Sequence, residues 1–131
     1  MAERYMVLET TGEIRWIETE RESMIKAFTE AIGCERMENV RTIIPDVCMI
    51  VDEMGKVKAN PQRDNWKATG LYWGGLHPIK DKDEILIRVI LGKDPIVGPV
   101  VFAAIHLVDG EPDWVPLNEL ELQRLKEYGI G

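Results

Sequence analysis

VDEMGKVKANPQRDNWKATGLYWGG, residues 51 to 75, reads as strand, tight turn, strand, capped helix and glycine stop. Asp52-Glu53-Met54-Gly55 is a turn of the kind that joins adjacent antiparallel strands, with Gly55 where a positive φ is wanted and Lys56 to Ala59 returning. Asn60-Pro61 then starts a helix: asparagine is favoured at the N-cap, and proline at the first helical position lacks only an amide that would have no partner anyway. Trp66 and Trp73, seven residues apart, fall on one face of that helix with Gly70 between them, and Gly74-Gly75 ends it.

On the N-terminal side, Val47 to Val51 is a run of five apolar residues, the best candidate for a central strand buried on both faces. Pro45-Asp46 turns the weakly alternating Met37–Ile44 stretch into it. Earlier, Tyr5–Leu8 and Glu13–Ile17 read as a hairpin about Thr11-Gly12, with Ile14 and Trp16 sharing a face. Thr19-Glu20-Arg21-Glu22 matches a capping box, followed by a helical stripe of Met24, Ile25, Phe28, Ala31 and Ile32 and a stop at Gly33. On the C-terminal side, Glu84–Leu91 and Ile96–Leu107 are strand signals, the second broken by Pro99, which marks a start, an edge or a bulge. Pro116-Leu117-Asn118 leads into a last helix, Glu119–Tyr128, packed through Leu120, Leu122 and Leu125 and stopped by Gly129. The expectation is a single α+β domain over residues 1 to 131: a mixed or mainly antiparallel sheet of six or seven strands with about three helices packed on it.

Composition restricts what such a domain does. A chain of 131 residues suits one core that buries roughly two-thirds of the unfolded surface. The formal charge of −7 disfavours a general nucleic-acid surface, because that affinity rests on Lys and Arg displacing counterions. The N-terminus lacks the basic and apolar regions of a secretion signal, and no apolar run approaches the roughly 20 residues that span a bilayer, so the expected location is cytoplasmic, with no membrane partner. Cys34 and Cys48 then read as reduced thiols.

The chain VDEMGKVKANPQRDNWKATGLYW, followed after an interval by PIVGPVVFAA, resembles the proteins grouped as domain of unknown function 3846, common in bacteriophages and mobile elements. The likeness rests on Asp52-Glu53-x-Gly55, then Asn60, Ala68, Leu71 and Tyr72, then Gly98, and covers about residues 37 to 104. Lys80–Lys93 reads as an extra hairpin arm. The resemblance implies a phage or plasmid origin and an accessory role, and it brings no catalytic residues.

Few residues carry chemistry. Ser23, the chain's one serine, sits in the first helix without a nucleophile elbow. Cys48 lies in an apolar run, where burial raises a thiol's pKa and blunts it. Cys34, Cys48, His77 and His106 contain no CxxC or HxxxH pair that would bring two zinc ligands together locally. Neither a P-loop nor GxGxxG is present, so no cofactor is expected. Asp46, Asp52, Glu53, Asp81, Asp83 and Glu84 lie near turns. A metal-dependent enzyme acting on a nucleotide or phosphoester would need two or three of them, Asp52 and Glu53 foremost, to converge on a hard cation.

Asn60, Arg63, Trp66, Lys67, Tyr72 and Trp73 offer instead a ligand site, in which aromatic rings stack a planar molecule and the basic groups hold its phosphate or carboxylate. The competing reading makes Trp66 and Trp73 core anchors. A third possibility, an acidic decoy of DNA, would use Glu18, Glu20, Glu22 and Glu30. The reading that leads is a non-enzymatic binding protein of phage or mobile-element origin, counteracting a host defence component by binding a protein or sequestering a small molecule. The Glu84–Leu91 arm would allow a homodimer through sheet extension.

Overall fold

The computed structural model describes residues 2–54, 65–73 and 96–131, apart from the Trp73 side chain. Glu53 and Met54 make a turn after β4, as expected, while Gly55 and the return strand, the Asn60-Pro61 helix start and the Glu84–Leu91 arm lie outside the described residues. Six strands, β1 (Glu3–Leu8), β2 (Ile14–Thr19), β3 (Met37–Arg41), β4 (Val47–Asp52), β5 (Val100–Val108) and β6 (Glu111–Val115), form one sheet. Among the described residues three helices accompany them: α1 (Met24–Ile32), α2 (Trp66–Trp73) and α3 (Glu119–Glu127). The strand order is β2-β1-β5-β4-β3, every pairing is antiparallel, and β6 pairs with the second half of β5. The α+β class is as expected.

Alternation sorts the side chains onto two faces. Met6, Leu8, Val47, Met49, Val51, Val100 and Phe102 pack with Ala68 and Leu71 of α2 and Leu125 of α3. Tyr5, Val7, Cys48, Ile50, Val101 and Ala103 pack with Met24, Phe28, Ala31 and Ile32 of α1. Because helices cover both faces, β4 is buried at all six positions, as its apolar run implied, although β5 rather than β4 holds the centre of the sheet. Within α1, Ile25 departs from the expected stripe: it is 57% exposed, on the solvent side of the helix.

One helix start differs from the sequence reading. The capping box at Thr19–Glu22 is not made. Thr19 is the last residue of β2 and its hydroxyl donates to the Glu20 carbonyl at 2.9 Å, while a 3₁₀ turn, Arg21–Ser23, carries the chain into α1. The box forms instead at α3, where Asn118 Oδ1 accepts the Glu121 amide at 2.8 Å and Glu121 Oε1 accepts the Asn118 amide at 2.9 Å. Of the three leucines expected to pack α3, Leu125 is buried and Leu122 partly buried, but Leu120 is exposed.

Arg21 braces the edge where β1 and β6 approach. Its guanidinium donates to Asp113 at 2.8 Å, to Glu3 at 3.3 Å and to the Trp114 carbonyl at 2.6 Å. Burial alone would lower its pKa, but Glu3 and Asp113 outweigh that and raise it. Burial, reinforced by a hydrogen bond to Glu3, likewise pushes the Tyr5 phenol above its ordinary range.

Candidate functional site

The helix that carries Trp66, Lys67 and Tyr72 is α2, and Asn65 stands at its start; the expected start at Asn60 lies outside the described residues. Asn65 is almost fully buried, and its Oδ1 accepts the Ala68 amide at 3.3 Å as an N-cap. Its Nδ2 donates to the Leu8 carbonyl at 3.0 Å and the Gly98 carbonyl at 3.1 Å, tying α2 to the end of β1 and the approach to β5. Thr69, also buried, donates to the Asn65 carbonyl at 2.7 Å and accepts the Ile96 amide at 2.9 Å. The helix is thus fixed by polar bonds and by Ala68 and Leu71, while Trp66 is only half-buried.

Of the six residues proposed for the helix site, the structure brings Trp66 and Lys67 together. The Lys67 ammonium sits 5.6 Å from the Trp66 ring centroid, and the Lys67 stem passes within 3.3 Å of where a Cβ on Gly12 would lie. Tyr72 is 47% exposed. Six residues on at 100° each, it projects about 120° away from Trp66 around the helix axis, so the two rings do not face one ligand. Asn60, Arg63 and the Trp73 side chain lie outside the described residues.

Of the carboxylates of the metal reading, the fold sets Asp46 apart from Asp52 and Glu53. Asp52 ends β4, where its Oδ1 accepts the Met54 amide at 2.9 Å, and the Glu53 amide donates to the Arg36 carbonyl at 3.0 Å. Asp46 stands at the other end of the same strand, about 20 Å away at the rise of an extended chain. Asp81, Asp83 and Glu84 lie outside the described residues, and among those that are described no three His, Cys, Asp or Glu side chains converge.

The remaining reactive groups are engaged in the structure. Cys48 is buried and donates to the Ala103 carbonyl at 3.4 Å; burial pushes its thiol up to about 11. Cys34 is half-buried, and the two cysteines form no disulfide. His106 Nε2 lies 3.3 Å from Glu121 Oε2, whose carboxylate is already held by the α3 capping box, and His77 lies outside the described residues.

A different place has the shape of a site. Between β3 and β4 the chain makes a tight, heavily bonded turn. The Thr42 hydroxyl donates to the Val47 carbonyl at 2.9 Å and accepts the Ile44 amide at 3.1 Å, and the Thr42 amide donates to the Val47 carbonyl at 3.2 Å. Ile44 is buried in the core shared with α2 and α3. Asp46 then takes φ 64°, the left-handed region that aspartate tolerates better than most residues, and its carbonyl accepts the Ile105 amide at 2.8 Å.

Behind this turn lies a cleft of about 310 Å³, bounded by Arg41, Thr42, the turn from Ile44 to Cys48, and Ile105. Arg41 is opposite Cys48 in the β3–β4 register and so lies on the α1 side of the sheet. Next to it on that side, Asn39 accepts the Trp114 indole N–H at 3.0 Å, and the Trp114 ring stands 5.7 Å from Phe28. Arg41 and Asp46 are both exposed, and among the described residues neither side chain has a hydrogen-bond or ion-pair partner. The sequence marks Asp46 as a turn residue and a candidate metal ligand and does not single out Arg41. The signal that could have found the pair was two opposite charges flanking a proline turn at the end of a buried strand.

The family whose description reads Domain of unknown function (DUF3846) matches residues 3–129. The chain belongs to the DUF3846 family. The match extends beyond the 37–104 region of the resemblance and takes in β1, β2, α1, β6 and α3, so this DUF3846 chain carries the family pattern across its whole sheet. No curated protein and no solved structure matches it. Among the described residues no helix is long and apolar enough to cross a membrane.

Proposed function

We propose that this DUF3846 protein is a non-enzymatic binding protein for a small molecule, held in the cleft behind the β3–β4 turn. The observation that carries this reading is the contrast between that cleft and the rest of the polar interior. Asn65, Thr69 and Glu121 are all committed to structural bonds, whereas Arg41 and Asp46 stand at a ligand-sized opening with their charges unspent. The turn's hydrogen bonds fix the backbone that carries these groups, which lowers the ordering cost of binding. In the phage or mobile-element setting that the resemblance implies, a protein of this kind would sequester a small host molecule and so blunt a response that depends on it.

The α2 surface supports this role less well, since the face of Trp66 is already occupied by Lys67. The acidic-decoy reading is weakened by a basic group set against one of its carboxylates: Arg4 lies 3.8 Å from Glu18. The metal-enzyme reading keeps Asp52 and Glu53 side by side, but β4 keeps Asp46 from joining them, and Asp52 already accepts the Met54 amide.

The test is a titration of isotope-labelled protein with a panel of amino acids, nucleotides and sugar phosphates, followed by amide chemical shifts. Binding in the cleft moves the resonances of residues 41 to 48 and 105 in a saturable way. If no member moves them at millimolar concentration, or if the shifts centre on α2, the reading is wrong.

A further inference from the structure

Building on the proposed cleft, we infer that its ligand is a small zwitterion of the α-amino-acid class, with its carboxylate on Arg41, its ammonium on Asp46 and an apolar side chain against Cys48 and Ile105. The rim offers one cation and one anion, five residues apart across a single turn, that neither pair with each other nor with another described group. A guanidinium presents a fork matched to a carboxylate, and a carboxylate accepts the N–H groups of an ammonium; each is a charge-assisted bond stronger than a neutral one. A ligand carrying both charges on neighbouring atoms satisfies both rim groups at once. One bearing a single charge leaves a rim group unmatched.

The interior of the cleft argues for the same class. The Thr42 hydroxyl is spent on the turn, and the Cys48 thiol proton is given to Ala103, so the floor presents no unsatisfied hydrogen-bonding side chain. Ile105 adds a hydrocarbon wall, and an apolar substituent is what such a surface accepts. Size and charge narrow the choice further. A volume of about 310 Å³ is at the low end of ligand sites, adequate for an amino acid and cramped for a dinucleotide. One arginine in a chain of net charge −7 is a poor match for a polyphosphate, whereas a molecule of zero net charge meets no long-range repulsion.

The experiment measures affinities of the twenty L-amino acids by calorimetry, with amide shifts to locate them, and then compares L-leucine with N-acetyl-L-leucine and L-leucinamide. The first analogue lacks the ammonium and the second lacks the carboxylate. Each should bind about tenfold to hundredfold more weakly than the parent, the range expected when one charge-assisted bond is lost. Arg41→Gln should weaken L-leucine by a similar factor while leaving L-leucinamide unaffected, and Asp46→Asn should do the same for N-acetyl-L-leucine. Asparagine tolerates the left-handed backbone at position 46, so that variant keeps the turn.

Equal affinity for parent and analogues, or variants that weaken all three compounds alike, would overturn the inference. So would a panel in which nucleotides or sugar phosphates move residues 41 to 48 and no amino acid does; in that case the cleft is still a binding site and only its ligand class is wrong. If nothing moves those residues, the binding reading falls together with this one.

Discussion

Asn65 is the residue on which the placement of α2 depends most, and its replacement by alanine has a calculable cost. The side chain is 1% exposed and makes three hydrogen bonds, to the carbonyls of Leu8 and Gly98 and from the amide of Ala68. Alanine leaves one buried N–H and two buried carbonyls short of a partner. At about 1–3 kcal/mol for each buried group left unsatisfied, with carbonyls toward the low end because each has a second lone pair, the loss is about 3–5 kcal/mol. For a chain of 131 residues that lowers Tm by roughly 11–18 °C, taking an unfolding entropy near 2.1 cal/mol/K per residue.

Two further variants separate the cap from the bridge. Serine at position 65 can still cap Ala68 but cannot reach both carbonyls, so it should recover only about 1 kcal/mol. Aspartate matches the shape but turns acceptor oxygens toward two carbonyls, and should be at least as damaging as alanine. Thermal and urea unfolding of the three variants measure these values. If Asn65→Ser is as stable as wild type, Asn65 is merely a helix cap and the bridge to β1 and Gly98 contributes nothing.

Three other outcomes follow from buried chemistry elsewhere. Burial pushes the Cys48 thiol up to about 11 from an ordinary 9.0, so its contribution is fully present below pH 9 and is lost as pH rises through 11, at about 2–3 kcal/mol. Urea midpoints between pH 8 and 11 should fall less steeply in Cys48→Ala, and an unchanged slope would count against burial as the cause. Arg21→Met, which strips the bonds to Glu3, Asp113 and the Trp114 carbonyl, should cost about 1–3 kcal/mol, with lysine recovering less than half because one ammonium cannot span three acceptors. Denaturant unfolding of the pair decides this. At α3, Asn118→Ala should cost about 1 kcal/mol and Glu121→Ala more, since Glu121 also faces His106; hydrogen exchange over residues 119 to 127 should accelerate in that order.

How much of this fold could be read from the chain depended on whether a local signal had a local cause. Val47 to Val51 was legible because burial on both faces leaves no room for a polar position, and Gly33 because a helix stop in the left-handed region needs little beyond its own backbone. Thr19–Glu22 misled because the same threonine was claimed by the end of β2, and a pattern of residue types does not reveal which neighbour a hydroxyl will choose. β6 was missed although Asp109-Gly110, both at positive φ, is a strong signal for a two-residue hairpin turn. Its strand, EPDWV, carries a proline and only two apolar side chains, so alternation was too faint to support the turn. At α2, Asn65 gives no stronger local signal than any other asparagine, and what marks it as the cap is its contact with Leu8 and Gly98, both far away in sequence.

The cleft was illegible for a related reason, yet its origin is simple geometry. α1 and β5 each contain nine residues, but a helix rises about 1.5 Å per residue and a strand about 3.4 Å, so α1 spans roughly 13 Å of a strand that runs roughly 30 Å. No arrangement of α1 can cover that whole face of β5. Val101 and Ala103 lie beneath the helix, Ile105 is half-buried, and Leu107 is 72% exposed. Trp114, reaching Asn39 from β6, fills part of the uncovered span. What it leaves open is bounded by the β3–β4 turn, which the Thr42 hydroxyl and the Asp46 carbonyl hold in place. Arg41 and Asp46 look like ordinary solvated charges in the sequence because their significance comes from where the helix ends, a property of element lengths rather than of any motif around them.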